Sequence, residues 1–360
     1  MLELKNVSKK VGGVYHIRDV SMRLEKGSLN VLLGPTLSGK TTLMRLMAGL
    51  DKPTEGDILV NGKSVVGVPV QKRNIAMVYQ QFINYPGMTV YENIASPMRI
   101  AGVDKKILDQ KVRQAADVMK LGDFLDRLPL NLSGGQQQRT ALARAMVKDA
   151  EIVLLDEPLA NLDYKLREEL RIELPRLFAE TGAVFVYATT EPHEALLLGG
   201  KTAALTEGRV SQFDETISVH NKPVDLQTAQ TFSDPPLNLL EVKKAGSHFE
   251  FDGQNVPISG QLKALSDGTY KVGVRPHHVF LNAPAEPSLS VETHVSTSEI
   301  TGSESFIHVE KNGYRWVALT HGVHRVNTGD AISVHLDPEN FFVFGMDDRL
   351  VAAPAKLQGE

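Results

Sequence analysis

Gly34-Pro35-Thr36-Leu37-Ser38-Gly39-Lys40-Thr41 fits the pattern G-x-x-x-x-G-K-[ST], and what flanks it decides which fold can hold it. Before it, LNVLLGP is an apolar run that ends at Gly34; after it, TTLMRLMAGL places apolar residues at helical spacing up to Gly49. The order is strand, loop, helix. A phosphate cradle requires that order. Glycines let successive N–H groups point inward, the helix start adds positive dipole, Lys40 reaches phosphate oxygens and the Thr41 hydroxyl reaches Mg2+. Gly34 to Thr42 are therefore the candidate phosphate-binding residues. Chance alone gives this pattern in on the order of one per cent of chains this long.

Downstream, Ile152-Val153-Leu154-Leu155-Asp156-Glu157 reads as a buried strand that ends in two carboxylates. Beside a phosphate loop they have separate tasks: Asp156 holds Mg2+, directly or through water, and Glu157 orients and polarises the attacking water. Between the two segments lies Asn131-Leu132-Ser133-Gly134-Gly135-Gln136-Gln137-Gln138-Arg139, followed by the helical ALARAMV. A serine and two glycines at a helix start make a second anion-binding end, and one triphosphate does not need two from one chain. The second end implies a dimer.

Outward from these segments, residues 1–30 alternate as an antiparallel β layer, and 57–82 return to short strands. From Val90 to Arg127 the periodicity is helical, with KVRQAADVMKLGDFL the clearest stretch. From Asp149, EIVLLDEP, KLREELRIELPRLFAE, GAVFVYATT and HEALLLGG run strand, helix, strand, helix, which predicts a parallel sheet with helices on its faces. The Pro-rich FSDPPLNLLE marks a boundary, and short alternating segments after it predict an all-β unit, a small barrel. The expected division is 1–235, with a helical part at about 85–148, and 236–360.

Composition narrows the function classes. Lys+Arg 39 against Asp+Glu 43 leaves a net charge of −4, so no bulk positive field holds a polyanion, and nucleic acid is not an expected partner. Cysteine is absent, which excludes disulfide scaffolds, thiolate zinc sites and cysteine nucleophiles. MLELKNVSKK has no apolar signal core, and no run approaches the ~20 apolar residues that span a bilayer, so a membrane role is peripheral. Eight of the eleven histidines lie after residue 236, His277 and His278 side by side; alternation puts strand neighbours on opposite faces, so they read as scattered surface and strand residues.

GPTLSGKT, LSGGQQQR and LLDEP, in this order and spacing, resemble the ATPase subunit of an ATP-binding-cassette transporter. The resemblance covers essentially the whole chain. It implies ATP and Mg2+ as ligands, and a dimer in which Ser133, Gly134, Gly135 and Gln136 of one subunit cover the γ-phosphate held by the other. Gln80, in NIAMVYQQ, matches the glutamine that reaches Mg2+ where two transmembrane permease subunits dock; Asp163, in LANLD, matches an aspartate that contacts the opposite subunit. DPPLN, VGVRPHHV and DPENFFVFG resemble the OB-like (TOBE-type) regulatory domain of carbohydrate importers of the maltose type. That implies import fed by an extracytoplasmic solute-binding protein, with this chain on the cytoplasmic face of the cell membrane. TTEPHEALLLGG with FSDPPLNLL resembles one of the paired, non-identical ATPases of glycerol or glycerol-3-phosphate importers.

Two positions depart from the family pattern. Where the family has a switch histidine after the next strand, this chain has Thr190, in Ala188-Thr189-Thr190-Glu191-Pro192-His193-Glu194. A threonine hydroxyl can hydrogen-bond a phosphate but carries no charge, and loss of one such contact costs ~10²–10³ in rate. His193 lies three residues on, at an expected helix start. The adenine-stacking aromatic would fall near Val11, which cannot stack; Tyr15 is the nearest candidate. Two readings stay open: an importer ATPase, and a hydrolysis-impaired nucleotide-binding subunit of an asymmetric ATPase heterodimer. A soluble cassette ATPase of translation or DNA maintenance would call for two cassettes in one chain or long coiled coils, and neither is visible.

Overall fold

The structure, a computed structural model, describes residues 1–160, 162–284 and 287–355, with backbone alone for 177–180. The chain divides into two compact units, Met1–Thr216 and the chain from Ile217 onward. The first unit opens with β1 (Leu2–Val11), β2 (Val14–Leu24), β3 (Leu29–Leu33), α1 (Lys40–Ala48), β4 (Glu55–Val60), β5 (Lys63–Ser64) and β6 (Ile75–Val78). The helices α2 (Val90–Ile100), α3 (Lys105–Val118) and α4 (Gly134–Met146) follow. The unit ends with β7 (Ile152–Asp156), α5 (Tyr164–Thr181), β8 (Val184–Thr189), α6 (Pro192–Leu198), β9 (Lys201–Thr206) and β10 (Arg209–Glu215).

Two sheets form. The antiparallel layer has the order β2-β1-β4-β5, and the six-stranded sheet the order β10-β9-β3-β8-β7-β6. Within the latter, β9, β3, β8, β7 and β6 run parallel and β10 closes the edge antiparallel to β9. The central strands are apolar on both faces, as a covered parallel sheet demands: all six residues of β8 and all five of β7 are buried. On α1, Leu43, Met44, Leu46 and Met47 are wholly buried and share one core with Leu4 and Ile17 of the antiparallel layer and Leu154 and Val186 of the parallel sheet. At ~1.5–3 kcal/mol per buried side chain, that core fixes the helix that carries Lys40 and Thr41.

Helix starts follow their capping residues. Thr89 with Glu92 and Ser133 with Gln136 form capping boxes at α2 and α4, while Asp104 and Asp163 cap α3 and α5. The α1 helix stops at Gly49, left-handed at φ 79°.

The second unit contains α7 (Thr216–Asn221), whose first residue belongs to the first unit, then α8 (Leu226–Thr231), β11 (Asn238–Ala245), β12 (His248–Phe251), β13 (Gln254–Pro257) and α9 (Gly260–Lys263). It continues through β14 (Gly268–Val274), β15 (Val279–Phe280), β16 (Leu289–Ile300), β17 (Glu304–Lys311), β18 (Tyr314–His321), β19 (Ala331–Leu336), β20 (Phe342–Phe344) and β21 (Leu350–Ala352). Two antiparallel sheets, β13-β12-β11-β14-β20-β21 and β15-β19-β16-β17-β18, close as a barrel-like body on one core of Val242, Phe249, Val272, Val291, Ile307 and Trp316. The Trp316 indole donates to Leu239 O at 2.8 Å and stitches the sheets together.

The division falls about twenty residues ahead of the boundary expected at 235/236. The reason is packing: Leu226 and Ala229 of α8 join Leu237, Phe342 and Phe344 in an apolar cluster, and the buried Arg275 donates to His220 O at 2.6 Å at the end of α7. The Pro-rich stretch therefore sits inside the second unit.

Candidate active site

The carboxyl ends of β3, β6, β7 and β8 lie along one edge of the parallel sheet, where open sheets of this kind bind ligands. From β3 comes the loop 34–39, from β6 Gln80, from β7 Asp156 and Glu157, and from β8 Thr190. Four segments separated by up to ~150 residues thus converge because the strand register brings Leu33 beside Thr189 and Asp156 beside Ala188.

The loop geometry suits an anion. Gly34 and Gly39 are required by close backbone approach: a Cβ on Gly34 would lie 2.3 Å from Leu205 O, and one on Gly39, at φ 106°, would lie 2.9 Å from His16 O. No side chain caps α1, so its first N–H groups await an outside acceptor. The Ser38 hydroxyl is buried without a hydrogen-bond partner at the same turn. Leu37 stands at φ 67° with its side chain 96% exposed, and Pro35 and Thr36 are exposed beside it.

Lys40 is buried; its ammonium donates to Gly34 O at 2.7 Å and Pro35 O at 3.1 Å and lies 4.0 Å from Glu157. Thr41 Oγ1 donates to Asp156 Oδ2 at 2.8 Å, while Thr42 is half-buried behind it. Gln80 Nε2 donates to Glu157 Oε2 at 2.8 Å. Glu157 holds a left-handed backbone at φ 46°, a conformation worth ~1–3 kcal/mol of strain, with its N–H bonded to Ala188 O. Burial lowers the Lys40 pKa against the pull of Glu157 and Asp156. Burial also raises Asp156, opposed by the Thr41 bond and Lys40, and raises Glu157, opposed by Lys40 and reinforced by Asp156, Glu194 and Glu191.

Among the described residues, no cluster of three or more His, Asp or Glu side chains could hold a metal by itself. Mg2+ takes one or two carboxylates and completes its shell with phosphate oxygens and water. Thr41, Asp156 and Gln80 carry hard oxygen atoms that could serve such an ion, and the loop's N–H groups could cradle phosphates.

The other anticipated residues are placed apart from this cluster. Ser133 and Gln136 bond each other's backbone in the capping box, at 3.3 and 2.9 Å, and Gly134 and Gly135 begin α4; none of their hydrogen bonds reaches the phosphate loop among the described residues. Asp163 accepts from Leu166 N at 3.0 Å as the cap of α5. Tyr15 is half-buried on β2, with the Lys10 ammonium 4.2 Å and the Arg18 guanidinium 5.2 Å from its ring centre. Thr190 is exposed at the end of β8, and His193 is exposed on α6. His277 and His278 meet ring to edge in the second unit.

One constellation escaped the sequence reading. Glu191 binds both Arg167, at 3.2 Å, and Arg171, at 3.0 Å; Arg171 also meets the buried Glu194 at 3.4 Å, which accepts from Tyr187 and Thr189 hydroxyls. Arg167 and Arg171 one turn apart, and Glu191 and Glu194 likewise, look in sequence like solvated helix faces.

Comparison with known proteins accords with this geometry. Residues 17–160 match the family model described as ABC transporter, and residues 272–344 the one described as TOBE domain. The chain is 35% identical over 343 residues, 94% of its own length and 96% of the relative's, to the sn-glycerol-3-phosphate import ATP-binding protein UgpC of Escherichia coli O157:H7. This chain belongs to the ABC transporter ATPase family. The cassette is also 34% identical over 340 residues, covering 92% and 89% of the two chains, to the xylose/arabinose import ATP-binding protein XacK of Haloferax volcanii. A solved dimeric post-hydrolysis state of the ATP-binding cassette MJ0796 bound to ADP and Pi superposes with a TM-score of 0.56 at 30% identity, over 60% of this chain and 99% of that one. No described helix of the cassette is long and apolar enough to cross a membrane.

Proposed function

We propose that this cassette binds MgATP at its phosphate loop, hydrolyses it with Glu157, and energises a binding-protein-dependent importer for a small polyol, sugar or glycerol phosphate. The observation that carries this reading is the gathering, at one sheet edge, of the ion-paired and hydrogen-bonded Lys40, Glu157 and Gln80 beside the hydrogen-bonded pair Thr41 and Asp156. Lys40 neutralises phosphate charge, and Thr41 with Asp156 and Gln80 would hold Mg2+, which when bound polarises the phosphoryl oxygens. Glu157, held in its ionised form by Lys40 and aimed by Gln80, orients the attacking water. The class of solute comes from the relatives, named as import subunits for sn-glycerol-3-phosphate and for xylose/arabinose.

A second ATPase subunit supplies the Ser133–Gln136 helix start that caps the nucleotide, and Asp163 faces that subunit. Dimeric packing of the similar cassette supports this, as does the separation of α4's start from this chain's own loop. Two permease subunits dock on this unit, and a cleft of about 720 Å³ between β6, α2 and α4 offers a surface for them. Its rim exposes Tyr85 and Ile100, the latter 86% exposed, beside Lys72, Arg73 and Lys148, a mixed apolar and basic surface suited to a short amphipathic helix. On this reading the cassette works at the cytoplasmic face of the membrane. The Tyr15 ring is the candidate platform for adenine.

Thr190 favours the alternative reading, a hydrolysis-impaired half of an asymmetric ATPase pair, because the position next to Glu157 offers a short hydroxyl instead of a cation. Glu157→Gln in the purified transporter separates the two. A loss of ATPase and transport of about 10²–10³ is expected if this site fires, and little change if only a partner's does. Native mass spectrometry of the same complex gives the subunit composition.

A further inference from the structure

Arg167 touches two loops at once. One terminal nitrogen donates to Ala160 O at 3.1 Å, three residues beyond Glu157, and the other to Glu191 Oε1 at 3.2 Å, next to Thr190. Its own backbone N–H bonds Asp163 O at 2.9 Å, so the side chain rises from the first turn of α5. On the far side, Thr189 closes the turn: its hydroxyl accepts from Glu191 N at 3.0 Å and donates to Glu194 Oε2 at 2.6 Å. Glu194 is buried and held by Arg171, which also binds Glu191 at 3.0 Å. Thr190 is thus the exposed apex of a turn whose two flanking residues are both tied down.

We propose that Arg167 is a positioning residue for hydrolysis, bridging the loop after Glu157 to the loop that presents Thr190 and fixing the spacing between those two side chains. The inference rests on the reading that this cassette's own site hydrolyses ATP. The bridge has a physical reason to exist. Threonine is short, so the distance from Thr190 to a phosphate must be set by backbone placement, and a misplacement of about 1 Å can cost 10²-fold in rate. A guanidinium suits the task because its planar fork addresses two acceptors in fixed geometry, which an ammonium on a flexible stem does not. Arg171 is buried and binds both Glu191 and Glu194, whereas Arg167 is partly exposed and is the safer site to change.

The test uses the assembled transporter, with this cassette and its permease and ATPase partners, and measures kcat and KM for ATP. Arg167→Met is expected to lower kcat about tenfold and leave KM for ATP within about twofold, with Arg167→Lys intermediate. In a Thr190→Ala background, Arg167→Met should add less than about twofold, because the residue acts through Thr190. Multiplicative losses in the double variant, or a raised KM at unchanged kcat, overturn the proposal. If Arg167→Met does not fold, Glu191→Gln keeps the shape, breaks the bridge and is read the same way. A Glu157→Gln complex of undiminished rate means the hydrolysing reading has failed, and the bridge falls with it; a dead Glu157→Gln complex with independent Arg167 and Thr190 effects refutes the bridge alone.

Discussion

Two helices of the first unit begin at glycine-bearing loops, and they complete their first turns in opposite ways. α4 closes its own: Ser133 and Gln136 bond each other's backbone, leaving only the N–H groups of Gly134 and Gly135 without a partner in the helix. α1 begins at Gly39, which has no side chain to offer, and carries the buried Lys40 and an unpartnered Ser38 hydroxyl at the same turn. The contrast separates a helix end that completes part of its own first turn, leaving two N–H groups for the nucleotide of a second subunit, from one with no side chain to complete any of it. At α1 the buried Lys40 also has the company of Glu157 at 4.0 Å and of Asp156, which holds Thr41.

Removing the cation at α1 is the hardest blow to that contrast. Lys40→Ala should lower ATPase by about 10²–10³, and an ATPase that survives would mean the open helix end is not the phosphate site. The pH profile sharpens the contrast next. Burial raises Glu157 above the ordinary 4.5, so it takes up its proton sooner as the pH falls; the acid limb of the rate should lie above that value and move when Lys40, which holds it down, is replaced. The same shift has a stability counterpart. Asp156 and Glu157 bind protons more tightly folded than unfolded, so they withdraw stability as pH rises through their raised pKa values, and MgATP should restore it as a higher Tm near neutral pH. The smallest effect belongs to α4. Ser133→Ala should cost this subunit about 1 kcal/mol and lower its Tm by roughly 2–4 °C, and an ATPase of the assembled transporter left wholly unchanged would show that this end caps no phosphate across a dimer.

Much of this was legible because it is written locally. Strand, glycine loop and helix around Lys40, the apolar run that ends at Asp156, and the helix start after Ser133 are read from neighbours in the chain, and each stands where the sequence pattern put it. Tertiary pairings left no such trace. Gln80 meets Glu157 across 77 residues, and Arg167 meets Glu191 across 24; no periodicity records either, because charged residues at helical spacing look the same whether they face water or one another. Leu37 in a left-handed conformation was hidden for a related reason, since only glycine announces that geometry by composition. The unit boundary failed differently. The Pro-rich stretch reads as a boundary, yet it lies within the second unit, after two short helices too brief for an amphipathic signal.

Those two helices change what counts as a portable piece of this protein. α8 lends apolar side chains to the barrel-like body, against Phe342 and Phe344, and α7 lends a carbonyl to Arg275. A seam at residue 235 would tear Leu226 and Ala229 from their neighbours and strand a buried guanidinium beside an empty groove. A seam at Thr216 leaves each core whole, so exchange of the second body between cassettes of this kind, by recombination or by hand, has its natural joint there.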